Sequence, residues 1–437
     1  INDGIHLEKS TAVEGGTELR KGMNYLITSC FLIAQMAGAG FLALPSAFAD
    51  TGWLGLPMLI IFCISVAYSG TRLGHCWVIL EERWPEYRKP ARQPYMEIAY
   101  RSFGSTGRNV IMAAVLITLV GTSIVYIILI AQFLHALVTD VSLCLFTVVV
   151  SIVFIPFTWL GTPKDFWQAS LLAGIATALS CLIIFVQLLL DIDSYYLPED
   201  PFYRHATFQS FSLGFGSILF SFGGASAFPT IQNDMDDRSQ FWKSVIIGFA
   251  GILIMYLPVA ITGYTLLGYE VPGNILLYRR GDLTVALKIA ISLEIVNLLG
   301  TFLIVFNPIC QIGEEILNIP RKFGVKRMAF RTALIVFDLI VALGIPDFGL
   351  ILNLVGGSTV TICSFLAPPA MYIKLVDDKS NPEWPQRIIP TWGRIFLYEI
   401  MLVGFVGGIC STGSAIYGII NSDFSTSCFA DFPQENS

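Results

Sequence analysis

Two short glycine-rich stretches hold the residues best suited to grip a ligand. The first reads Met36-Ala37-Gly38-Ala39-Gly40-Phe41-Leu42-Ala43-Leu44-Pro45, and the second reads Phe222-Gly223-Gly224-Ala225-Ser226-Ala227-Phe228-Pro229. Glycine pairs weaken a helix and proline removes a backbone donor, so both stretches are expected to unwind and leave N–H and C=O groups unpaired. Free N–H groups at the start of a half-helix, at the positive end of its dipole, suit a carboxylate. Free carbonyls suit an ammonium or a metal cation. Together they suit a zwitterion, with Gly38, Ala39, Gly40 and Phe41 on the carboxylate side and Phe222, Gly223 and Ser226 on the amine side. The alternative is that these small residues only let helices pack closely.

A second set of residues has the chemistry of ion coupling. Glu294, Asn297 and Thr301 follow one another at i, i+3 and i+7 on one face of an apolar segment. An acid at that depth is costly and is read first as functional, here as a proton carrier, the alternative being a structural acid satisfied by neighbouring donors. Asp338 is a second candidate. Tyr126, one turn after Ser123, is placed to close a hydroxyl over a substrate. Phe222 and Phe228 flank the second break as possible lining or gating groups. Four scattered histidines, His6, His75, His135 and His205, give no metal-binding spacing, and the acidic group Asp234, Asp236 and Asp237 has no histidine near it. No catalytic residues, metal site, cofactor or nucleic-acid partner is therefore expected, and the chain does not read as an enzyme.

These residues need a membrane to make sense. Of 437 residues 54% are hydrophobic and only 13% charged, about half the charge of an ordinary soluble domain. Eleven apolar segments are long enough to cross a bilayer, and they organise the chain as an all-α polytopic membrane protein. Residues 1–23 form a polar tail, 24–190 hold segments one to five, 211–373 hold six to ten, 395–420 form the eleventh, and 421–437 close the chain. Unwound backbone survives at mid-bilayer only where it is buried in protein or lines a polar cavity, so both breaks are expected to share one site. The two breaks lie about 185 residues apart, as do most other segments of the two halves. That offset predicts a 5+5 inverted repeat plus one helix, with helices 1 and 6 broken at the midplane, the plan of LeuT-type secondary transporters.

Charge sets the expected orientation. With the N-terminus cytosolic, 21 of the 26 Lys and Arg fall on the cytosolic side. The C-terminus is then extracellular or luminal. Of nine cysteines, only Cys144 and Cys428 fall near that face, so one disulfide there is open. Residues 95–100, within the longest cytosolic connection, could form a short amphipathic helix on the inner leaflet, the alternative being a solvated loop held by anionic lipid.

Several stretches carry a more specific likeness. Gly216-Ser217-Ile218-Leu219-Phe220-Ser221-Phe222-Gly223-Gly224, continuing through Pro229-Thr230-Ile231-Gln232 to Met235, is similar to the sixth-helix pattern of the amino acid and auxin permease family. Gly38 to Pro45, Gly263-Tyr264-Thr265-Leu266-Leu267-Gly268, and Leu354-Val355-Gly356-Gly357-Ser358 with Phe365 to Leu375 resemble that family's other motifs in order. The resemblance implies a secondary transporter moving a small amino acid or similar zwitterion by alternating access, working as a monomer in the lipid bilayer. The coupling ion is expected to be a proton. Sodium is the alternative: the sodium-coupled branch pairs a first-helix Asn with a helix-eight Thr, and here Thr301 is present while Ala34 stands at the Asn position. A transporter-like amino acid sensor is the other reading. The plasma membrane is expected ahead of lysosomal or vesicular membranes.

Overall fold

The structure, a computed structural model, describes residues 22–89, 91, 93–159, 166–192, 203, 205–279, 282–320, 323–345, 347–421 and 428. The expectations for most of the two tails lie outside these residues. Fourteen α-helices are described: α1 (Tyr25–Met36), α2 (Leu44–Thr51), α3 (Gly55–Arg83), α4 (Pro94–Leu137), α5 (Leu143–Trp159), α6 (Phe166–Leu190), α7 (Phe208–Ser221), α8 (Phe228–Asn233), α9 (Phe241–Leu267), α10 (Val285–Ile316), α11 (Val325–Gly344), α12 (Phe348–Val355), α13 (Ala367–Asp377) and α14 (Thr391–Asn421). Their ends follow local chemistry. Asn24 caps α1 by accepting from the Ile27 amide, Thr207 and Ser210 form a capping box at α7, and α9 stops at Gly268, whose φ of 56° suits glycine.

Among the described residues, eight helical stretches of at least 18 residues are apolar enough to cross a membrane, with α1 and α5 as shorter apolar helices. This is an integral, multi-pass, all-helical architecture. The described part contains no sheet, only one isolated bridge between Met23 and Met235.

That bridge helps fix how the two interrupted runs, 25–51 and 208–233, lie against each other. At one end the Met23 amide donates to Asp234 O at 2.9 Å and the Asp236 amide to Met23 O at 3.1 Å. At the other end Ser210 Oγ donates to Asp50 O at 3.0 Å. Between them the Ser221 hydroxyl donates to Gly40 O at 2.9 Å. The runs are therefore antiparallel and meet at their middles. Helix α1 also packs on α9 and α6, α2 on α7 and α9, and α10 on α6 and α4.

Residues 95–100 are helical and open α4, ahead of the turn at Gly104. Tyr95, Ile98, Ala99 and Ser102 make a stripe at helical spacing that is buried, leaving Tyr100 and Phe103 outside. The chain turns at Gly104, where φ is 70°. Tyr95 donates to Cys363 O at 2.6 Å, within the wider π turns, Gly356–Val360 and Ile362–Leu366, that separate α12 from α13. Cys144 and Cys428 are joined by a disulfide that ties the start of α5 to the C-terminal segment, and the Cys428 amide donates to Leu343 O.

Candidate functional site

Helical hydrogen bonding in the first run stops at Met36, passes through Ala37 and Gly38, and resumes as a 3-10 turn over Ala39–Ala43 before α2. In the second run it stops at Ser221 and resumes with Ala225–Ala227 and α8. Glycine is required where the two approach. A Cβ on Gly40 would lie 2.5 Å from Ser221 Cα, and one on Gly224 would lie 2.5 Å from Met36 Cγ.

One side chain outside both runs holds their ends. The Tyr256 hydroxyl of α9 donates to Met36 O at 3.0 Å and has Ser221 O at 3.2 Å, so a single phenol serves the C-terminal carbonyls of α1 and α7. Tyr256 is fully buried. Its role was not visible in the sequence, because the groups it serves are backbone carbonyls far away in the chain.

The expected substrate residues fall in two groups. Gly38, Ala39, Gly40 and Phe41 are buried, and Tyr126 meets them: a Cβ on Gly38 would lie 3.3 Å from Tyr126 Oη. Thr301 lies beside Tyr126, so Gly38, Tyr126 and Thr301 are brought together. On the other side, Ser226 lines a cavity of about 380 Å³, with Gln35, Tyr95, Thr230 and Gln311 among its walls. Gly223 is half-buried beside Val360. Phe222 and Phe228 do not line this cavity. Their rings are fully buried against the α9 aromatics, Phe222 near Phe249 and Tyr256, Phe228 near Phe241 and Phe249. The Phe222 backbone is engaged within the break, its amide donating to Leu219 O at 3.1 Å and its carbonyl accepting from the Gly224 amide at 3.0 Å.

Glu294 and Asn297 are fully buried between α10 and α6. The Asn297 amide donates to Glu294 Oε2 at 3.1 Å and to Thr177 Oγ1 at 2.8 Å, and Thr177 and Ser180 lie beside the carboxyl. Glu294 Oε1 has no partner at hydrogen-bond distance, and no described cation pairs with this acid. Thr301 donates to Asn297 O at 2.8 Å, which places all three on one face. Ala34 offers only a methyl group, packed where a Cβ on Gly174 of α6 would lie 2.8 Å away. Asp338 is also buried, and Ser123 donates to its Oδ2 at 2.6 Å, so Ser123 turns to α11 and not to the break. Among the described residues no cluster of His, Cys, Asp or Glu could hold a metal.

The far end of the bundle is closed by aromatics. Trp53, Tyr203 and Tyr264 pack with ring centroids 5.1 to 6.0 Å apart, and Phe48 adds an edge contact to Tyr264 at 6.4 Å.

Comparison with known proteins matches this architecture. Residues 21–413 fit the family described as transmembrane amino acid transporter protein. The chain is 29% identical over 398 residues to amino acid transporter AVT1B of Arabidopsis thaliana, covering 88% of this chain and 69% of that one. It is 24% identical over 404 residues to the human vesicular inhibitory amino acid transporter, covering 87% and 73%. Its fold is similar to that of the Eremococcus coleocola manganese transporter, at TM-score 0.57 and 13% identity over 95% of this chain and 91% of that one. The chain belongs to the transmembrane amino acid transporter family, the amino acid and auxin permeases, as a multi-pass membrane protein and not an enzyme.

Proposed function

We propose that this chain carries a small α-amino acid across a membrane by alternating access, driven by a proton. The observation that carries this reading is the antiparallel meeting of two interrupted helices at their middles, Gly40 against Ser221. Amides of residues 38–41 at the start of the half-helix face the carboxylate, and the backbone at Phe222 and Gly223 with the Ser226 hydroxyl faces the ammonium. Tyr126 closes over Gly38.

The cavity at Ser226 extends to Gln93 and Gln311, toward the lysine- and arginine-rich end, while the aromatic group at Trp53 closes the other end. This arrangement fits the inward-open member of an alternating pair within an eleven-span, 5+5 inverted plan. The disulfide at Cys144 supports an oxidising, non-cytosolic compartment on the opposite face, and with it a cytosolic N-terminus.

Glu294 is the proposed proton carrier. An acid buried without a cation stays inside most readily when neutral, and loading it discharges the α6 and α10 face that backs α1. The missing side-chain oxygen at Ala34 supports the proton over sodium. Uptake by the full chain in proteoliposomes, across a panel of amino acids with and without a proton gradient and with and without sodium, tests the reading. Accumulation under an inward proton gradient without sodium is expected. Saturable binding with no accumulation under either gradient would overturn transport in favour of a sensor.

A further inference from the structure

A second cavity, of about 490 Å³, lies on the outside of the bundle between α3 and α9, away from both interruptions. Its walls differ along their length. Ile64, Ala67, Ile246 and Leu253 make it apolar, and at one end stand Arg72 and Trp242. Ile64 and Ile246 are each more than half exposed, so this face meets lipid and not another helix.

Arg72 is the unusual group. No described carboxylate pairs with it, its Nε is buried without a partner, and its neighbours are the rings of Tyr68 and Tyr372, 4.6 and 5.4 Å from the guanidinium carbon. The Tyr372 hydroxyl at 3.5 Å is a long contact. Ring faces return only a fraction of the hydration a guanidinium loses. Depth can be read from the packing. Gly74 abuts Phe241, the first residue of α9, and Gly70 faces Val245, which sets Arg72 level with the first turn of α9. Trp242 and Lys243 sit in that same turn, the position of interfacial anchors. Ile246 and Leu253 follow one and three turns deeper along α9, and Ile64 lies two turns deeper along α3.

We propose that this groove holds one anionic phospholipid of the basic-side leaflet, its phosphodiester bound by Arg72 and an acyl chain lying along Ile64, Ile246 and Leu253. A phosphate supplies what the guanidinium lacks: a charged acceptor able to take its N–H groups in pairs. The length of the apolar wall asks for a chain attached to that phosphate. This site does not depend on the transport reading.

The test uses the full chain, purified in neutral detergent, with three probes: short-chain phosphatidylglycerol, the matching phosphatidylcholine, and inorganic phosphate. Native mass spectrometry counts bound lipid, and the thermal midpoint reports stabilisation. Phosphatidylglycerol is expected to bind about tenfold more weakly to Arg72→Gln, the equivalent of losing one charge-assisted contact. It is also expected to be excluded by Ala250→Trp, which fills the exposed groove wall and leaves Arg72 in place. Should Arg72→Gln fail to fold, Ala250→Trp decides. Equal binding of the two lipids, wild-type phosphatidylglycerol binding by Ala250→Trp, or stabilisation by inorganic phosphate alone that survives in Ala250→Trp would overturn the proposal.

Discussion

Single atoms at the interruptions set what each residue can tolerate. Gly40 has no room for a side chain, because the first added carbon would meet Ser221 Cα at 2.5 Å. Gly40→Val must therefore push the runs apart, with an overpacking cost of about 1–3 kcal/mol, and uptake is expected to fall while the protein still inserts. Radiolabelled uptake beside a folding check by size-exclusion profile measures this. Tyr256→Phe keeps the ring and removes the one donor shared by Met36 O and Ser221 O. Leaving buried carbonyls short of a partner costs about 1–3 kcal/mol, so a lower thermal midpoint and weaker substrate affinity are expected together. Glu294→Gln preserves shape and removes the titration. Wild-type uptake is expected to rise as the substrate side is acidified, because protonation loads the carrier; the variant should show a flat pH profile. A profile unchanged by the substitution would remove Glu294 from the coupling step.

Elements decide how much of this was readable in advance. Gly38 with Pro45 and Gly223 with Pro229 announce interruptions, because glycine and proline act on the helix that contains them. The Glu294, Asn297 and Thr301 face was legible for the same reason, being set by spacing within one helix. Tyr256, Thr177 and Ser221 were not legible, since each acts on a group in another helix and a sequence does not state which helices touch. The first turns of α4 were legible as an amphipathic helix, but an amphipathic stripe does not name the partner of its buried face, and here Tyr95 finds Cys363 O. The Cys144 to Cys428 bridge was open in the sequence and spans 284 residues. Its loss is expected to cost about 2–4 kcal/mol, through closure of a long loop. Cys144→Ser and Cys428→Ser should lower the thermal midpoint equally, the double variant should add nothing, and a reducing agent should lower the wild type alone.

At the scale of the molecule the two ends are unlike. One carries most of the positive charge, the backbone pairing of Met23 with Asp234 and Asp236, and the cavity below Ser226; the other carries the Trp53, Tyr203 and Tyr264 closure. Two antiparallel runs that touch at their middles can rock about that contact, opening one end as the other shuts. A probe at each end separates this from a fixed pore. In a Cys30→Ser background, which removes an exposed thiol, Thr230→Cys lies in the open cavity, whereas Thr51→Cys lies buried at the aromatic end. A membrane-impermeant thiol reagent is expected to label Thr230→Cys from the basic side only and Thr51→Cys hardly at all. Transported amino acid with a proton gradient should raise labelling of Thr51→Cys from the opposite side while lowering that of Thr230→Cys, since each molecule that opens one end has closed the other. Simultaneous labelling of both positions, unaffected by substrate, would mean a continuous aqueous path and would exclude alternating access.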